Sequence, residues 1–239
     1  GYNALGAATS GDYNTAVGAY TLDGTIDGAN NTAIGAYSLS ADCVSDNVAM
    51  GYTALNVFTG SNATAIGSGA ANAATNAAGL TVIGSEAGSA ITGEEGVTLI
   101  GHQSGVTLAG ADNTFIGNET GRYATSVTDS IAIGKKALRG AASGTFPTGD
   151  YNIAIGNYSL DAVTTSVAGV AIGHEAGTAV TTGHYNVAIG HQALATEDAA
   201  EGNVAIGYRA LQDQVGGANN VAIGKFAATN LNGGTDSVY

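Results

Sequence analysis

The sequence predicts an all-β chain, a parallel β-solenoid of fourteen coils with about 17 residues per coil. Three observations predict it. A short motif recurs: "NTAIGAYSL" at 31–39, "NVAMGYTAL" at 47–55, "NIAIGNYSL" at 152–160, "NVAIGHQAL" at 186–194, "NVAIGYRAL" at 203–211 and "NVAIGKFAA" at 220–228. Its glycine returns at a nearly constant interval along the whole chain. That glycine also stands beside β-branched residues in copy after copy, which argues for strand and turn and against helix.

The glycines in question are Gly6, Gly18, Gly35, Gly51, Gly67, Gly84, Gly101, Gly117, Gly134, Gly156, Gly173, Gly190, Gly207 and Gly224. Their spacings are 12, 17, 16, 16, 17, 17, 16, 17, 22, 17, 17, 17 and 17. There is thus one contraction near the start and one insertion between Gly134 and Gly156. The residue before the glycine is Ile, except for Leu5, Val17 and Met50. Two before it is Ala, except for Val82, Leu99 and Phe115. Three before it is mostly Thr, Val or Ile, and four before it is often Asn. Three after it is always Ala, Ser or Thr, and four after it is often Leu or Gly. The remaining residues have turn and loop composition. Each copy therefore reads as one coil: a short strand ending at the glycine, a turn, a second short strand and a variable loop, with coils ~4.8 Å apart.

Within the strand, Val187 and Ile189 point to one face and Ala188 to the other. The Val/Ile face is expected to fill the coil, leaving a face of small alanines outside. A strand apolar on both faces is buried on both, so the outer cover is expected to be the same surface of another copy of the chain. On this reading Ala33, Ala132, Ala154, Ala171, Ala188, Ala205 and Ala222 line the interface of a side-by-side homotrimer. The motif glycines, Gly35, Gly51, Gly134, Gly173, Gly190, Gly207 and Gly224 among them, are expected to take positive φ at a sharp corner. The Asn column is expected to form an amide ladder, each side chain bonding to the next coil.

With 6 Lys+Arg against 19 Asp+Glu, the chain carries a formal net charge of -13. No charged residue falls in the four positions before a motif glycine, so charge is confined to turns and loops. Such a surface disfavours nucleic acid and anionic membrane as partners. Cys43 is the only cysteine, so no disulfide can form within the chain. No apolar run is long enough to cross a membrane as a helix, and no signal peptide is visible. Pro147, the only proline, sits in the inserted segment 139–151, which reads as a surface loop on a single array spanning 1–239. Residues 237–239 read as the start of another coil. Neither end carries a polar cap, so the array is expected to be a slice of a longer fibre.

The pattern "NVAIG..A", repeated coil after coil, resembles the head repeats of the YadA-type trimeric autotransporter adhesins and the repeats of trimeric phage tail fibres. The resemblance covers nearly the whole chain. It implies a left-handed β-roll, three chains side by side, an extracellular place on a cell or virion surface, and a role in attachment. The period here is longer than in that family's head repeats, so each coil is expected to carry an extra loop.

The two positions after each glycine vary and include charges, so they are expected to face solvent as ladders. Tyr20 and Tyr37 stack in one such ladder, and His174 and His191 in another. These four are the candidate adhesive surface, with a cell-surface glycan or protein as partner. The histidine pair lacks a third ligand in its column, so neither metal nor cofactor is predicted. Glu86 and Glu119 share a column two coils apart, ~9.6 Å from the strand spacing, near the upper end for an inverting glycosidase pair; nothing in the sequence depicts a cleft around them, so no catalysis is predicted. A polysaccharide-degrading spike is the enzymatic alternative. An ice-binding solenoid is the other, suggested by Thr15, Thr32, Thr64, Thr81, Thr98 and Thr114, although this column is expected to face inward with the Ile column. Deleting the five residues by which the Gly134–Gly156 spacing exceeds 17 is expected to leave the coil register and the circular dichroism spectrum unchanged, because surface loops tolerate length changes.

Overall fold

The structure is a computed structural model that describes residues 1–140, 147–196 and 198–239. The fold is an all-β parallel solenoid of about 12 turns with about 17 residues per turn, and no helix occurs among the described residues. The chain forms two compact units, Gly1–Asn113 and Thr114–Tyr239. In the first, β1 (Thr15–Val17), β2 (Thr32–Ile34), β3 (Val48–Met50), β4 (Thr64–Ile66), β5 (Thr81–Ile83) and β6 (Thr98–Ile100) pair in chain order. In the second, β7 (Thr114–Ile116), β8 (Ile131–Ile133), β9 (Ile153–Ile155), β10 (Val170–Ile172), β11 (Val187–Ile189), β12 (Val204–Ile206) and β13 (Val221–Ile223) do the same. All these pairs are parallel and in register, so Ala188 lies beside Ala171 on one side and Ala205 on the other.

Among the described residues the strands number thirteen, one fewer than the fourteen copies read from the sequence, because Gly6 is not a motif glycine. The Tyr20 amide donates to the Tyr2 carbonyl (2.8 Å) and the Leu5 amide to the Thr21 carbonyl (3.0 Å). These bonds align "GYNAL" at 1–5 with the turn after Gly18, which makes Gly1 the corner glycine and removes the apparent contraction. The ladder also runs on past β13, where Val238 bridges Val221 in parallel.

Each coil is bound to its neighbours along both the strand and the corner. The Thr15 amide donates to the Asn31 carbonyl of the next coil (2.8 Å), and the Gly35 amide donates back to Val17 (2.8 Å). Past the glycine, Tyr37 donates back to Ala19 (3.0 Å) and Leu39 forward to Ala54 (3.0 Å). This alternation requires positive φ at the second and fourth residues after the glycine, as at Tyr37 (58°) and Leu39 (48°). Such a backbone costs on the order of 1–3 kcal/mol per residue and is held by the bonds on both sides. The glycine itself has φ between +127° and +145° at every strand end. A Cβ on Gly35 would stand 2.5 Å from the Gly51 carbonyl oxygen, so neighbouring corners stack with no room for a side chain.

The interior reverses the expected sense of the strand. The middle residue faces inward, and Ala33, Ala132, Ala154, Ala171, Ala188, Ala205 and Ala222 are at most 2 % exposed within a single chain. They are core positions and not an interface between copies. The flanking Thr/Val and Ile columns face outward and are half-buried or exposed. The reason is room. The fourth residue after the glycine also points inward, so Ala33 shares its layer with buried Leu39, Ala49 with Leu55 and Ala205 with Leu211. Where the strand residue is large, the fourth residue after the glycine is itself glycine: Gly88 in the coil of Val82, Gly105 in that of Leu99 and Gly121 in that of Phe115, and the space at Gly88 is taken by Leu99 and Ile91. A Cβ on Gly105 would lie 2.7 Å from Leu99 Cδ2, and one on Gly121 would overlap the Phe115 ring. Ala171 faces Gly177, and there Leu160 and Val180 from adjoining positions close the gap.

Polar satisfaction runs down the Asn column. Asn186 Oδ1 accepts the Asn203 amide (2.9 Å), and Asn203 Oδ1 accepts the Asn220 amide (3.0 Å). Each Nδ2 meanwhile donates to a loop carbonyl of the following coil, as from Asn203 to Gly217 (2.9 Å). The same pattern joins Asn14, Asn31, Asn47 and Ala63 in the first unit. At the insertion, Ser130 Oγ replaces the amide and accepts from Asn152 (3.0 Å). Despite the 22-residue spacing there, Ile131 pairs with Ile153 in full register. Pro147 is buried and packs on Gly140, and its carbonyl accepts the Thr125 amide (3.0 Å). Residues 141–146 of the inserted loop lie outside the described residues.

The volume exchange between strand and corner gives a quantitative expectation. Phe115→Ala alone should cost about 3–5 kcal/mol and Gly121→Leu alone about 1–3 kcal/mol. Together they recreate the Ala132/Leu138 layer of the following coil, so the double variant should recover most of both losses in a denaturant double-mutant cycle. Additive losses would show that the two positions do not share one space.

Candidate functional site

The corner after each glycine carries the side chains that the core does not use. In the first and second positions after the glycine these side chains stand on the outside, one pair per coil. Because the coils are in register, neighbouring pairs meet as a stripe running across the strands.

In the first unit the stripe is tyrosine. Tyr20 and Tyr37 stack with ring centroids 5.0 Å apart and planes 10° from parallel. Tyr2 meets Tyr20 edge-on at 5.4 Å, and Tyr52 meets Tyr37 edge-on at 6.3 Å. Beyond them, Gln103 Nε2 donates to Glu86 Oε2 (2.6 Å).

In the second unit the stripe mixes rings and cations. His174 and His191 stack at 5.2 Å with planes 12° from parallel, and His191 stacks on Tyr208 at 5.4 Å. Tyr158 approaches His174 edge-on at 6.1 Å, and Phe226 approaches Tyr208 edge-on at 5.2 Å. Cations flank both ends. Lys135 and Lys136 lie over the Tyr158 ring at 5.8 and 5.6 Å. Arg209 lies over Tyr208 at 5.2 Å, and Lys225 over Phe226 at 5.3 Å. Amides bind the middle together: Gln192 Nε2 donates to Glu175 Oε2 (2.7 Å), and Arg209 Nε donates to Gln192 Oε1 (2.9 Å).

The structure therefore brings Tyr20 together with Tyr37, and His174 together with His191. Reading single columns missed Tyr2, Tyr52 and Phe226, because the rings switch between the first and second positions after the glycine and still touch; Tyr208 follows His191 in the same column and extends the stack. Reading single columns also missed the segregation of charge. All six basic residues belong to the second unit: Lys135, Lys136, Arg209 and Lys225 stand at the first or second position after a corner glycine, and Arg122 and Arg139 at the fifth. Reading the two columns as one stripe would have exposed both.

The carboxylate candidates are each held within their own unit. Glu86 accepts from Gln103, whereas Glu119 is surrounded by Arg122 (3.4 Å), Lys136 (3.8 Å) and Arg139 (3.9 Å). Asp161 pairs with Arg139 Nε at 3.0 Å, yet burial pushes its carboxyl above the usual range against the pull of Arg139. Among the described residues no group of three His, Cys, Asp or Glu side chains could hold a metal ion. The Thr column that the sequence reading turned inward faces outward with the Ile column. Compared with family models, curated proteins and solved structures, the chain matches none.

Cys43 is buried, and its Sγ lies 3.2 Å from Thr25 Oγ1. Burial pushes its thiol pKa up, outweighing the Thr25 hydrogen bond that lowers it. Thiolate is the reactive form, so Cys43 should react with a thiol-specific chromogenic disulfide only at the rate of local or global unfolding. Rapid labelling of the native protein would contradict this burial.

Proposed function

We propose that the chain is the rod of a surface fibre: identical copies associate side by side as a trimer, and the exposed corner stripes present or mediate adhesion. The observation that carries this reading is the outward strand face. From β8 to β13 both outward columns are wholly Ile or Val, including Ile131 (40 % exposed), Ile133 (36 %), Ile172 (37 %) and Ile223 (60 %). An apolar face of this length calls for a partner. A second copy fits it because its own columns repeat at the same rise, so each coil meets an apolar side chain. No charged residue stands in any strand, so copies can meet here without burying a charge, while the acidic loops repel other approaches. Three copies, a left-handed coil and a cell or virion surface are what the likeness to YadA-type head repeats and tail-fibre repeats adds. Binding fits the stripes better than turnover does, since the carboxylates near them are already engaged by neighbours.

Threonine in the outward face favours a second reading. Thr15, Thr32, Thr64, Thr81 and Thr98 alternate with apolar residues over the first unit, a regular array of hydroxyls and methyls that suits binding to ice. This face cannot both bind ice and be covered by another copy. A monomer with thermal hysteresis would support the second reading, and a trimer without it the first.

The interface assignment predicts two distinct outcomes. Ile172→Asp should dissociate the assembly in light scattering and leave the β-sheet circular dichroism intact. Ala171→Asp should abolish folding of its coil, because it buries a charge inside one chain. Retention of the trimer by Ile172→Asp, with native stability, would reject the face.

A further inference from the structure

We infer that the second unit's stripe from Lys135 to Phe226 binds an acidic polysaccharide laid along it; this rests on the reading of the corner stripes as adhesive. The first observation is the placement of charge. The chain has a net charge of -13, yet the two columns after the glycines from Gly134 to Gly224 hold Lys135, Lys136, Arg209 and Lys225 against the carboxylate Glu175, with Glu119 of the preceding coil 3.8 Å from Lys136. A patch of opposite sign on an acidic body selects anionic groups and turns them away elsewhere.

The second observation is what lies between the two cationic ends. His174, His191 and Tyr208 stack on one another, so their faces are occupied by neighbouring rings and their edges point out. Ring edges carry N–H, N and O–H groups, which suit the hydroxyls of a sugar chain. Asn157 and Gln192 hold the stripe in place at the same level: Asn157 Oδ1 accepts the Lys135 amide, and Gln192 bridges Glu175 and Arg209. Single-stranded nucleic acid would need open ring faces for its bases to stack on, and this stack provides none between His174 and Tyr208. Five coil steps separate Lys135 from Lys225, which is roughly 24 Å at the strand spacing. A chain of several sugars with carboxylate or sulfate groups can place its charges on Lys135 and Lys136 at one end and on Arg209 and Lys225 at the other. Its hydroxyls then lie over His174, His191 and Tyr208. The first unit's tyrosine stripe has no cation, so it lacks this selectivity.

The test measures binding of the full chain to four immobilised polymers: heparin, polyguluronate, dextran and oligo(dT). The expected result is binding to the two acidic polysaccharides that weakens steeply with added salt, with dextran and oligo(dT) at least tenfold weaker. Replacing Lys135, Lys136, Arg209 and Lys225 together by Gln should weaken the acidic polysaccharides at least tenfold. His191→Ala should weaken them less, and Tyr20→Ala with Tyr37→Ala not at all. Melting temperatures of the variants establish that each remains folded. Equal binding of dextran, equal binding of oligo(dT), or unchanged binding by the Gln variant would overturn the inference. Cell binding that depends on the stripe but is not competed by heparin or polyguluronate would overturn it and leave the adhesive reading standing. Absence of any stripe-dependent binding to cells or polymers would overturn both.

Discussion

The stacking of one glycine on the next governs everything else in this fold. At the corners from Gly18 to Gly84 and from Gly117 to Gly207 the Cβ position is filled by the neighbouring coil's backbone, so the coils can approach to hydrogen-bonding distance only if the residue has no side chain. That contact fixes the rise, and the rise keeps Thr, Ala and Ile of each strand beside their equivalents. It also fixes the width of the interior. With the width constant, the residue two before the glycine and the residue four after it must share one volume. Ala with Leu fills it, and so does Phe with Gly. Two large residues collide, which is why the alanine column is small wherever the opposite column is leucine.

The period, the strands, the glycine corners and the Asn ladder were legible because each recurs in most of the copies. The sense of the strand was not. Thr-Ala-Ile is apolar on both sides, and size alone suggested that Ile belongs inside. Size misleads here because the interior of the coil is narrow and half of it is filled from the corner. The information was nonetheless present in three places: Val82, Leu99 and Phe115 break the alanine column in the same copies where Gly88, Gly105 and Gly121 break the leucine column. Paired exceptions of that kind identify facing positions within one chain. The register error at Gly6 has a similar origin. Ala4-Leu5-Gly6 imitates the end of a strand, but "GYNAL" at 1–5 matches "GYTAL" at 51–55 and places the corner at Gly1.

Turning the strand over relocates the functional surfaces as well. With Val and Ile outside, the face that wants a partner is a ladder of large apolar side chains and not a seam of alanines. Large side chains bury more area per coil, at roughly 25 cal/mol per Å², so association through this face gains more from each turn than an alanine seam would. A fold built of nearest-neighbour coils has no long-range core to fall back on, and covering the sheet would stabilise each coil separately.

The corner stripe lies around the glycine turn from that face, so one surface can be covered while the other stays exposed. On the proposed reading, this separation matters for adhesion. A single coil offers two variable side chains, too few for a strong site. Register multiplies them: cations one coil apart, or five, are held at fixed multiples of the rise by the same glycine contacts that close the core. A flexible chain with the same residues would have to order them on binding and would lose affinity in doing so. Here the order is already present, and side-by-side copies would repeat it, so that weak contacts along a polymer combine to an avidity of ~10²–10⁴ over any one of them. The rigidity of the core and the reach of the stripe therefore come from one constraint, the absence of a side chain at the corner.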